Sequence, residues 1–245
     1  MMNTKKRKRI AFMGTALLLA SAACIALLLH LGILQFNDPS KEKYPVRGVD
    51  VSEYQGEIDW PLLSKQGISF AFIKATEGSQ YVDPRFVYNW EHAAGTGLKL
   101  GAYHFFSFDS PGSTQAENFL STVNRLEGML PPVVDIEMYG QYKRTPKLAD
   151  EVWTELTAML NALEAEYGAK PILYATQAAY DLYLDERYED YPLWIRSVYT
   201  YPAVKDWTFW QYSDRMVLKG YSGVERHIDM NLYDGTKEAF EREFP

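Results

Sequence analysis

Two carboxylates stand close together where an apolar segment of the chain ends. The segment Pro132-Val133-Val134-Asp135-Ile136-Glu137 has the composition of a buried strand. Side chains alternate along a strand, so Asp135 and Glu137 project from the same face. Strands are depleted in acids, and burying an unpaired carboxylate is costly. Two carboxyl groups on either side of one bond are the apparatus of glycoside hydrolysis, in which one donates a proton and the other attacks or stabilises charge. The alternative is a strand end whose acids cap a helix or face solvent.

Alternating strand and helix signals predict the frame that must hold this pair. Eight short apolar segments have strand character: 48–52, 70–75, 100–106, 132–137, 171–175, 193–198, 208–213 and 228–232. Helical patterns lie mainly between the earlier strands: 59–65, 84–94, 113–126, 147–167 and 177–184. Little helix is predicted after residue 193. The order predicts an α/β fold, a TIM-like parallel (β/α) barrel of eight strands with an irregular final third.

The predicted barrel brings two further acids to the same place. Active-site groups in such barrels lie at the C-terminal ends of several strands, and Asp135 and Glu137 end the fourth. Asp50 lies near the end of the first strand, and Asp229 lies on the last. The first and last strands are neighbours in a closed barrel, so four carboxylates meet at one mouth. Each acid alone is compatible with a structural role, but their joint placement favours chemistry.

Charge is divided unevenly along the chain. Residues 1–36 contain five basic and no acidic side chains, whereas residues 37–245 contain 20 basic and 32 acidic ones, a net charge of −12. A body this acidic repels phosphate backbones, so no nucleic-acid partner is expected. Aromatic residues make up 15% of the chain, including 18 Tyr and 6 Trp, which suits a groove that stacks sugar rings.

The N-terminal residues have the pattern of a membrane anchor. Residues 1–9 contain a basic cluster that is expected to stay in the cytoplasm. Residues 10–36 form an apolar signal anchor, longer than the roughly 20 residues that span a bilayer. A polar tether, 37–46, then leads to the barrel domain, 47–245, on the periplasmic or extracellular side. The alternative is a signal peptide cleaved near Ala23, which would release a secreted domain.

Seven short segments in a fixed order carry a family resemblance. They are Arg47-Gly48-Val49-Asp50-Val51-Ser52, Phe72-Ile73-Lys74-Ala75-Thr76-Glu77-Gly78, Gly101-Ala102-Tyr103-His104-Phe105, Val134-Asp135-Ile136-Glu137, Leu193-Trp194-Ile195, Trp210-Gln211-Tyr212 and Ile228-Asp229-Met230-Asn231. Each segment alone is a weak signal, but the ordered set over 47–233 is specific. The chain resembles the glycoside hydrolase family 25 lysozymes, the Chalaropsis-type N-acetylmuramidases.

This resemblance implies an activity and a role for each acid. It implies retaining hydrolysis of the β-1,4 bond from N-acetylmuramic acid to N-acetylglucosamine in peptidoglycan, without a metal. Glu137 matches the general acid/base and Asp135 the second catalytic carboxylate. Asp50 and Asp229 match two flanking acids. Asp135 either attacks the anomeric carbon or orients the substrate's 2-acetamido group, and we favour the second role. Arg196 departs from the family, which often has a small residue there.

Aromatic side chains at inward strand positions are candidate platforms for sugar rings. These candidates are Tyr103, Tyr174, Trp194 and Trp210, with Tyr139 just after Glu137. Packing in the barrel wall is the alternative for each of them. Gln211 is a candidate hydrogen-bonding partner for an acetamido group. The expected partners are peptidoglycan glycan strands and, through residues 10–36, a membrane; no oligomeric state is predicted.

Three other uses of these residues compete with the muramidase hypothesis. Related chitinases have an aspartate two residues before the acidic pair, where this chain has Val133, which counts against a chitinase-like hydrolase. A glycan-binding module that has lost catalysis would lack the acid, and Glu137 is present. A hard-cation site built from the four acids is the remaining chemical rival. His, Cys and the acids show no metal-ligand spacing, so neither a metal nor a cofactor is expected.

Overall fold

The computed structural model describes residues 4–245. The strands are β1 (Arg47–Val51), β2 (Phe70–Glu77), β3 (Tyr81–Val82), β4 (Lys99–Phe105), β5 (Val133–Ile136), β6 (Ile172–Thr176), β7 (Leu193–Arg196), β8 (Phe209–Met216) and β9 (Ile228–Tyr233). The helices are α1 (Thr4–His30), α2 (Trp60–Leu63), α3 (Phe86–Ala93), α4 (Gly112–Thr122), α5 (Ala149–Tyr167), α6 (Gln177–Ala179) and α7 (Lys237–Glu243). The eight predicted strands are confirmed, with small shifts at their ends.

Eight of these strands close into a barrel. They run in the order β1, β2, β4, β5, β6, β7, β8, β9, and β9 pairs with β1 to complete the ring. The short strand β3 forms a hairpin with β2 outside it. From β1 to β8 all pairs are parallel, whereas β9 is antiparallel to both of its neighbours. The prediction of a parallel barrel is therefore wrong for the last strand. The reason is the connection 217–227, which contains no helix and is too short for a parallel crossover.

The reversed direction of β9 decides where Asp229 lies. Asp229 is the second residue of β9 and pairs directly with Asp50 on β1. The start of an antiparallel strand lies at the same end of the barrel as the C-terminal ends of the parallel strands. Had β9 been parallel, Asp229 would lie at the opposite end. The expectation that four acids share one mouth is confirmed, for a reason that the sequence prediction did not contain.

Aromatic rings fill the barrel interior below the mouth. The buried side chains of this inner core are Val46, Phe70, Phe72, Leu130, Val133, Ile172, Tyr174, Trp194, Phe209, Tyr233, Phe240 and Phe244. Two rings on β2 face glycines on the adjacent strands, Phe70 opposite Gly48 and Phe72 opposite Gly101. A Cβ atom would come within 2.4 Å of the Phe70 ring at Gly48 and within 2.5 Å of the Phe72 ring at Gly101. The two glycines therefore make room for the rings.

The helices pack on the outside of the barrel as their sequence patterns predict. The apolar stripe of α5 is buried, and Gly168 ends this helix in the left-handed conformation with φ 68°. The Asp59 carboxylate accepts a hydrogen bond of 3.0 Å from the Leu62 amide and so caps α2, as predicted. The C-terminal helix α7 was not predicted. It closes the bottom of the barrel with Phe240 and, just after it, Phe244.

The N-terminal helix stands apart from the barrel. Within α1, residues Ile10–His30 are long and apolar enough to cross a membrane, and none of this stretch is buried against the rest of the chain. A chain segment that we call the docked segment, residues 31–46, follows it along the barrel wall. Its side chains Tyr44 and Val46 are buried.

A methyl group at Gly101 should disturb the inner core. We expect Gly101→Ala to lower the free energy of unfolding by about 1–3 kcal/mol, because the new Cβ overlaps the Phe72 ring. Thermal and urea unfolding of the purified barrel measure this loss. Combined with Phe72→Leu, which removes the overlapping ring, the substitution should cost less than the sum of the two single effects. Strictly additive losses would contradict this packing.

Candidate active site

An open cleft of about 830 Å³ lies at the mouth of the barrel, at the C-terminal ends of the parallel strands. All four predicted acids line it: Asp50, Asp135, Glu137 and Asp229. A slightly larger cleft, about 950 Å³, lies outside the barrel wall around Tyr180 and Asp206, and none of the four acids lines it. The chemistry predicted from the sequence therefore belongs to the cleft at the mouth.

Asp50 and Asp229 are joined by two side-chain amides. The Gln211 amide nitrogen donates to both carboxyl groups, over 2.9 Å to Asp50 and 3.0 Å to Asp229. The Asn231 amide nitrogen donates to Asp50 over 2.7 Å. Burial raises the pKa of Asp50 to about 6, and these amides act in the opposite direction. Burial and the nearby Asp50 charge raise the pKa of Asp229 well above its usual range.

A proton shared between these two acids is the chemical consequence. The hydrogen bond between the carboxyl groups raises the pKa of Asp229 and lowers that of Asp50. It therefore favours a proton on Asp229 and a negative charge on Asp50. Gln211 donates to both acids, but Asn231 donates to Asp50 and so stabilises the same arrangement.

Asp135 has an oxygen with no internal partner. Its carboxylate is 6% exposed, and its Oδ1 atom is buried without a hydrogen bond from any described residue. Burial, followed by repulsion from Glu137, raises the pKa of Asp135 well above its usual range, and the Lys74 ammonium opposes this shift. An unsatisfied buried acceptor is unfavourable in the free protein. It is available to a donor that a ligand brings into the cleft.

Burial and a nearby basic side chain shift the pKa of Glu137 in opposite directions. Burial raises the pKa of Glu137, while the positive charge of the Arg196 guanidinium lowers it. Arg196 lines the cleft and donates to Asp214 over 2.9 Å, so the guanidinium that departs from the family pattern faces the groove. A carboxyl group with a raised pKa in a ligand-sized cleft is suited to donating a proton near neutral pH.

Only some of the predicted sugar platforms reach the cleft. Tyr103, Tyr174 and Trp194 line it. Trp194 stacks on Phe72 with ring centroids 4.4 Å apart, and its indole nitrogen donates to Asn231 over 2.8 Å. Trp194 thus forms the floor between the acids and the inner core.

Trp210 and Tyr139 lie elsewhere. Trp210 is in the core between barrel and helices, because its neighbours Phe209 and Gln211 are the inward residues of β8. Tyr139 follows the end of β5 and stacks on Phe108, with ring centroids 5.4 Å apart. The inward position expected for Trp210 is therefore wrong, and the structure does not bring Tyr139 to the acids.

Two further residues that shape the site, Asn231 and Lys74, are not predicted from the sequence. Asn231 joins Trp194 to Asp50, and it lies two residues after Asp229 on the same face of β9, a spacing that could have revealed it. Lys74 lines the cleft and pairs with Glu77 at 2.7 Å. These polar partners come from strands far apart in the chain, so no local pattern groups them.

Replacing Arg196 should raise the pKa of Glu137 further. In Arg196→Gln the positive charge that favours the carboxylate is gone, while burial, which favours the neutral acid, remains. Carbon NMR of labelled glutamate side chains measures the titration. Arg215→Gln is a matched control, because Arg215 also contacts Asp214, at 3.3 Å, but does not line the cleft. A lower or unchanged pKa of Glu137 in Arg196→Gln would contradict this electrostatic account.

Comparison with known proteins gives one consistent result. The family described as "Glycosyl hydrolases family 25" matches residues 49–221. A family 25 glycosyl hydrolase from Bacillus anthracis is 50% identical, with a TM-score of 0.80 over 85% of this chain and 97% of that one. A family GH25 lysozyme from Aspergillus fumigatus is 27% identical, with a TM-score of 0.70 over 81% and 98%. Lysozyme M1 of Streptomyces globisporus is 34% identical over 78% of this chain and 68% of its own length. The chain therefore belongs to glycoside hydrolase family 25, the lysozymes that act on peptidoglycan.

Proposed function

We propose that the chain is an N-acetylmuramidase that hydrolyses the β-1,4 bond between N-acetylmuramic acid and N-acetylglucosamine with net retention. The observation that carries the proposal is the cleft that combines Glu137, whose pKa burial raises, with the carboxyl groups of Asp50, Asp135 and Asp229. The name of a relative from Chalaropsis, an N,O-diacetylmuramidase that is 27% identical over 76% of this chain, supports the substrate class.

Glu137 is the proton donor in this proposal. As the neutral acid it protonates the glycosidic oxygen while the bond to the anomeric carbon breaks. The resulting carboxylate is stabilised by the positive charge of Arg196, which lowers its pKa. In the second step the same carboxylate takes a proton from the attacking water, which restores the acid.

Asp135 holds the substrate's 2-acetamido group in this proposal. The acetamido oxygen attacks the anomeric carbon. The N–H of the same acetamido group donates to the Asp135 oxygen that has no partner among the described residues. While Glu137 is the neutral acid it does not repel Asp135, and the Lys74 ammonium favours the charged form of Asp135. The Asp135 carboxylate then stabilises the positive charge that develops on the acetamido nitrogen. Direct attack by Asp135 is the alternative, and both routes lead to retention.

Asp50 and Asp229 complete the site as a hydrogen-bonded pair. We assign Gln211 to holding this pair rather than to binding an acetamido group, because its amide is already engaged with both acids and with Tyr174. The same amides argue against the hard-cation alternative. The amides of Gln211 and Asn231 donate to the Oδ2 atoms of Asp50 and Asp229, two of the oxygens that a cation would take as ligands.

Sugar rings are expected to lie against Tyr103, Tyr174 and Trp194. These side chains line the cleft beside the acids, and aromatic faces suit the apolar faces of pyranose rings. The chitinase-like alternative gains no support, because Val133 is buried in the inner core two residues before Asp135. A module without catalysis is disfavoured by the presence of Glu137 in the cleft.

We further propose that α1 is retained as a signal anchor, with the barrel on the outer side of the membrane. Residues 1–9 would then be cytoplasmic, the anchor predicted as 10–36 would cross the bilayer with Ile10–His30, and 47–245 would be the hydrolase domain. The length and apolar character of Ile10–His30 support the anchor, and these features are also compatible with a cleaved signal.

Loss of the acid should abolish activity without harming the fold. Glu137→Gln keeps the shape of the side chain and removes the donatable proton, so clearing of a peptidoglycan suspension should fall by about 10²–10⁴-fold. The melting temperature should hold or rise, because the variant removes repulsion among the acids. Glu241→Gln, at an exposed position on α7, is the control. Turnover of Glu137→Gln close to that of the wild type would refute the assignment.

Removal of the substrate's N-acetyl group should distinguish the two roles of Asp135. If the acetamido oxygen is the nucleophile, peptidoglycan with de-N-acetylated muramic acid should be cleaved far more slowly, with the loss in kcat. If Asp135 attacks, the loss should be modest and appear in KM. A glycosyl ester on Asp135, trapped with a 2-fluoro sugar and detected by mass spectrometry, would refute the acetamido route.

A further inference from the structure

The segment after α1 is held on the barrel by backbone contacts. The Asn37 side-chain amide donates to the carbonyl oxygens of Ser197, over 2.9 Å, and Tyr212, over 3.2 Å. The hydroxyl of Ser213 donates to the side chain of Gln35. These contacts join the docked segment to β8 and to the residue just after β7. The start of the predicted polar tether, 37–46, and the end of the predicted anchor, 10–36, are therefore fixed to the barrel wall.

The second half of the docked segment is held equally well. The buried Arg47 guanidinium donates to the carbonyl oxygen of Pro39 and, over 2.9 Å, to the hydroxyl of Tyr212. The hydroxyls of Tyr44 and Tyr201 are 2.7 Å apart. Contacts thus continue from position 35 to the start of β1. The path from α1 to the barrel has little freedom to bend.

The other end of this path lies at the rim of the active-site cleft. The His227 ring nitrogen donates to the carbonyl oxygen of His30, the last residue of α1, over 2.9 Å. His227 also lines the cleft. The 21 residues Ile10–His30 span roughly 30 Å as a helix, the thickness of a bilayer core. His30 therefore marks the outer membrane surface, and the cleft rim lies beside it.

The surface around this point combines apolar and basic side chains. The exposed apolar residues are Ile33 at 65%, Leu34 at 40%, Val217 at 40% and Val224 at 90%. Two basic residues of the 217–227 loop, Lys219 and Arg226, are also exposed, beside one exposed acid, Glu225. This combination stands out on a chain whose residues 37–245 carry a net charge of −12. Apolar side chains with flanking Lys and Arg are suited to the interface of a bilayer that contains anionic lipids.

We propose that the loop 217–227 and residues 33–34 form a membrane-docking surface, which the docked segment holds against the bilayer that α1 crosses. The occupant of the surface is the headgroup region of that bilayer. The active-site cleft then opens at the membrane surface instead of moving freely at the end of a tether. This inference rests on the proposal that α1 is retained as an anchor.

Fluorescence quenching in vesicles tests the position of the loop. The full chain, with Cys24 replaced by Ser, carries one fluorophore at Val224→Cys and is reconstituted into phosphatidylcholine and phosphatidylglycerol vesicles with spin-labelled headgroups. We expect strong quenching at this position. The control is Glu127→Cys, an exposed site before β5 at the opposite end of the barrel, where we expect little quenching.

Lengthening the connection between α1 and the barrel tests whether the docked segment holds the loop at the membrane. A Gly/Ser insertion of about 20 residues between Leu31 and Gly32 adds a coil of roughly 25 Å and leaves the contacts from position 35 onward in place. Quenching at Val224→Cys should then fall towards that at Glu127→Cys, while activity on soluble peptidoglycan fragments stays the same. Equal quenching at both sites without the insertion would overturn the inference, as would quenching that the insertion leaves unchanged.

Membrane retention distinguishes this inference from the anchor proposal. Retention of the chain in the vesicle fraction after a carbonate wash, together with an unquenched loop, would leave the anchor standing and refute the docking surface. Release of the chain from the vesicles by the wash would refute both. Both proposals are supported if the chain stays in the vesicle fraction, the loop is quenched, and the Gly/Ser insertion removes that quenching.

Discussion

The rest of the site depends on four carboxyl groups that are held close together, away from water, at one end of the barrel. Charged carboxylates this close together repel one another, and each loses hydration. Two effects reduce this cost. Burial raises the pKa values of the acids, so protons stay on some of them, and side-chain amides stabilise the charge that remains on Asp50. A carboxyl group that keeps its proton near neutral pH is also the group that acid catalysis requires.

The barrel supplies this arrangement through strand direction and a dry floor. Parallel strands bring Asp50, Asp135 and Glu137 to their C-terminal ends, and the reversal of β9 brings Asp229 to the same end. Trp194, stacked on Phe72, separates the acids from the aromatic interior. The short 217–227 connection that imposes this reversal also contains His227, which contacts the last residue of α1, so one connection both completes the acid cluster and reaches the N-terminal helix.

The sequence predicted most of the fold because its signals are local. Apolar runs located the eight strands, and the alternation along β5 placed Asp135 and Glu137 on one face. Alternation alone does not say which face is inward, which is why Trp210 was assigned to the groove while its neighbours Phe209 and Gln211 hold the inward positions. The docking of Asn37 escaped prediction because its partners, Ser197 and Tyr212, lie more than 150 residues away.

The identity of the bond that is cut tests the account most directly. Peptidoglycan whose existing reducing ends have first been reduced with borohydride is digested by the full chain and then reduced with borodeuteride. Deuterated sugar alcohols mark the newly formed reducing ends, and mass spectrometry identifies them. If Glu137 drives cleavage after N-acetylmuramic acid, the sugar alcohol at the new reducing ends is N-acetylmuramitol. N-acetylglucosaminitol as the product, or N-acetylmuramitol formed equally well by Glu137→Gln, would contradict the account.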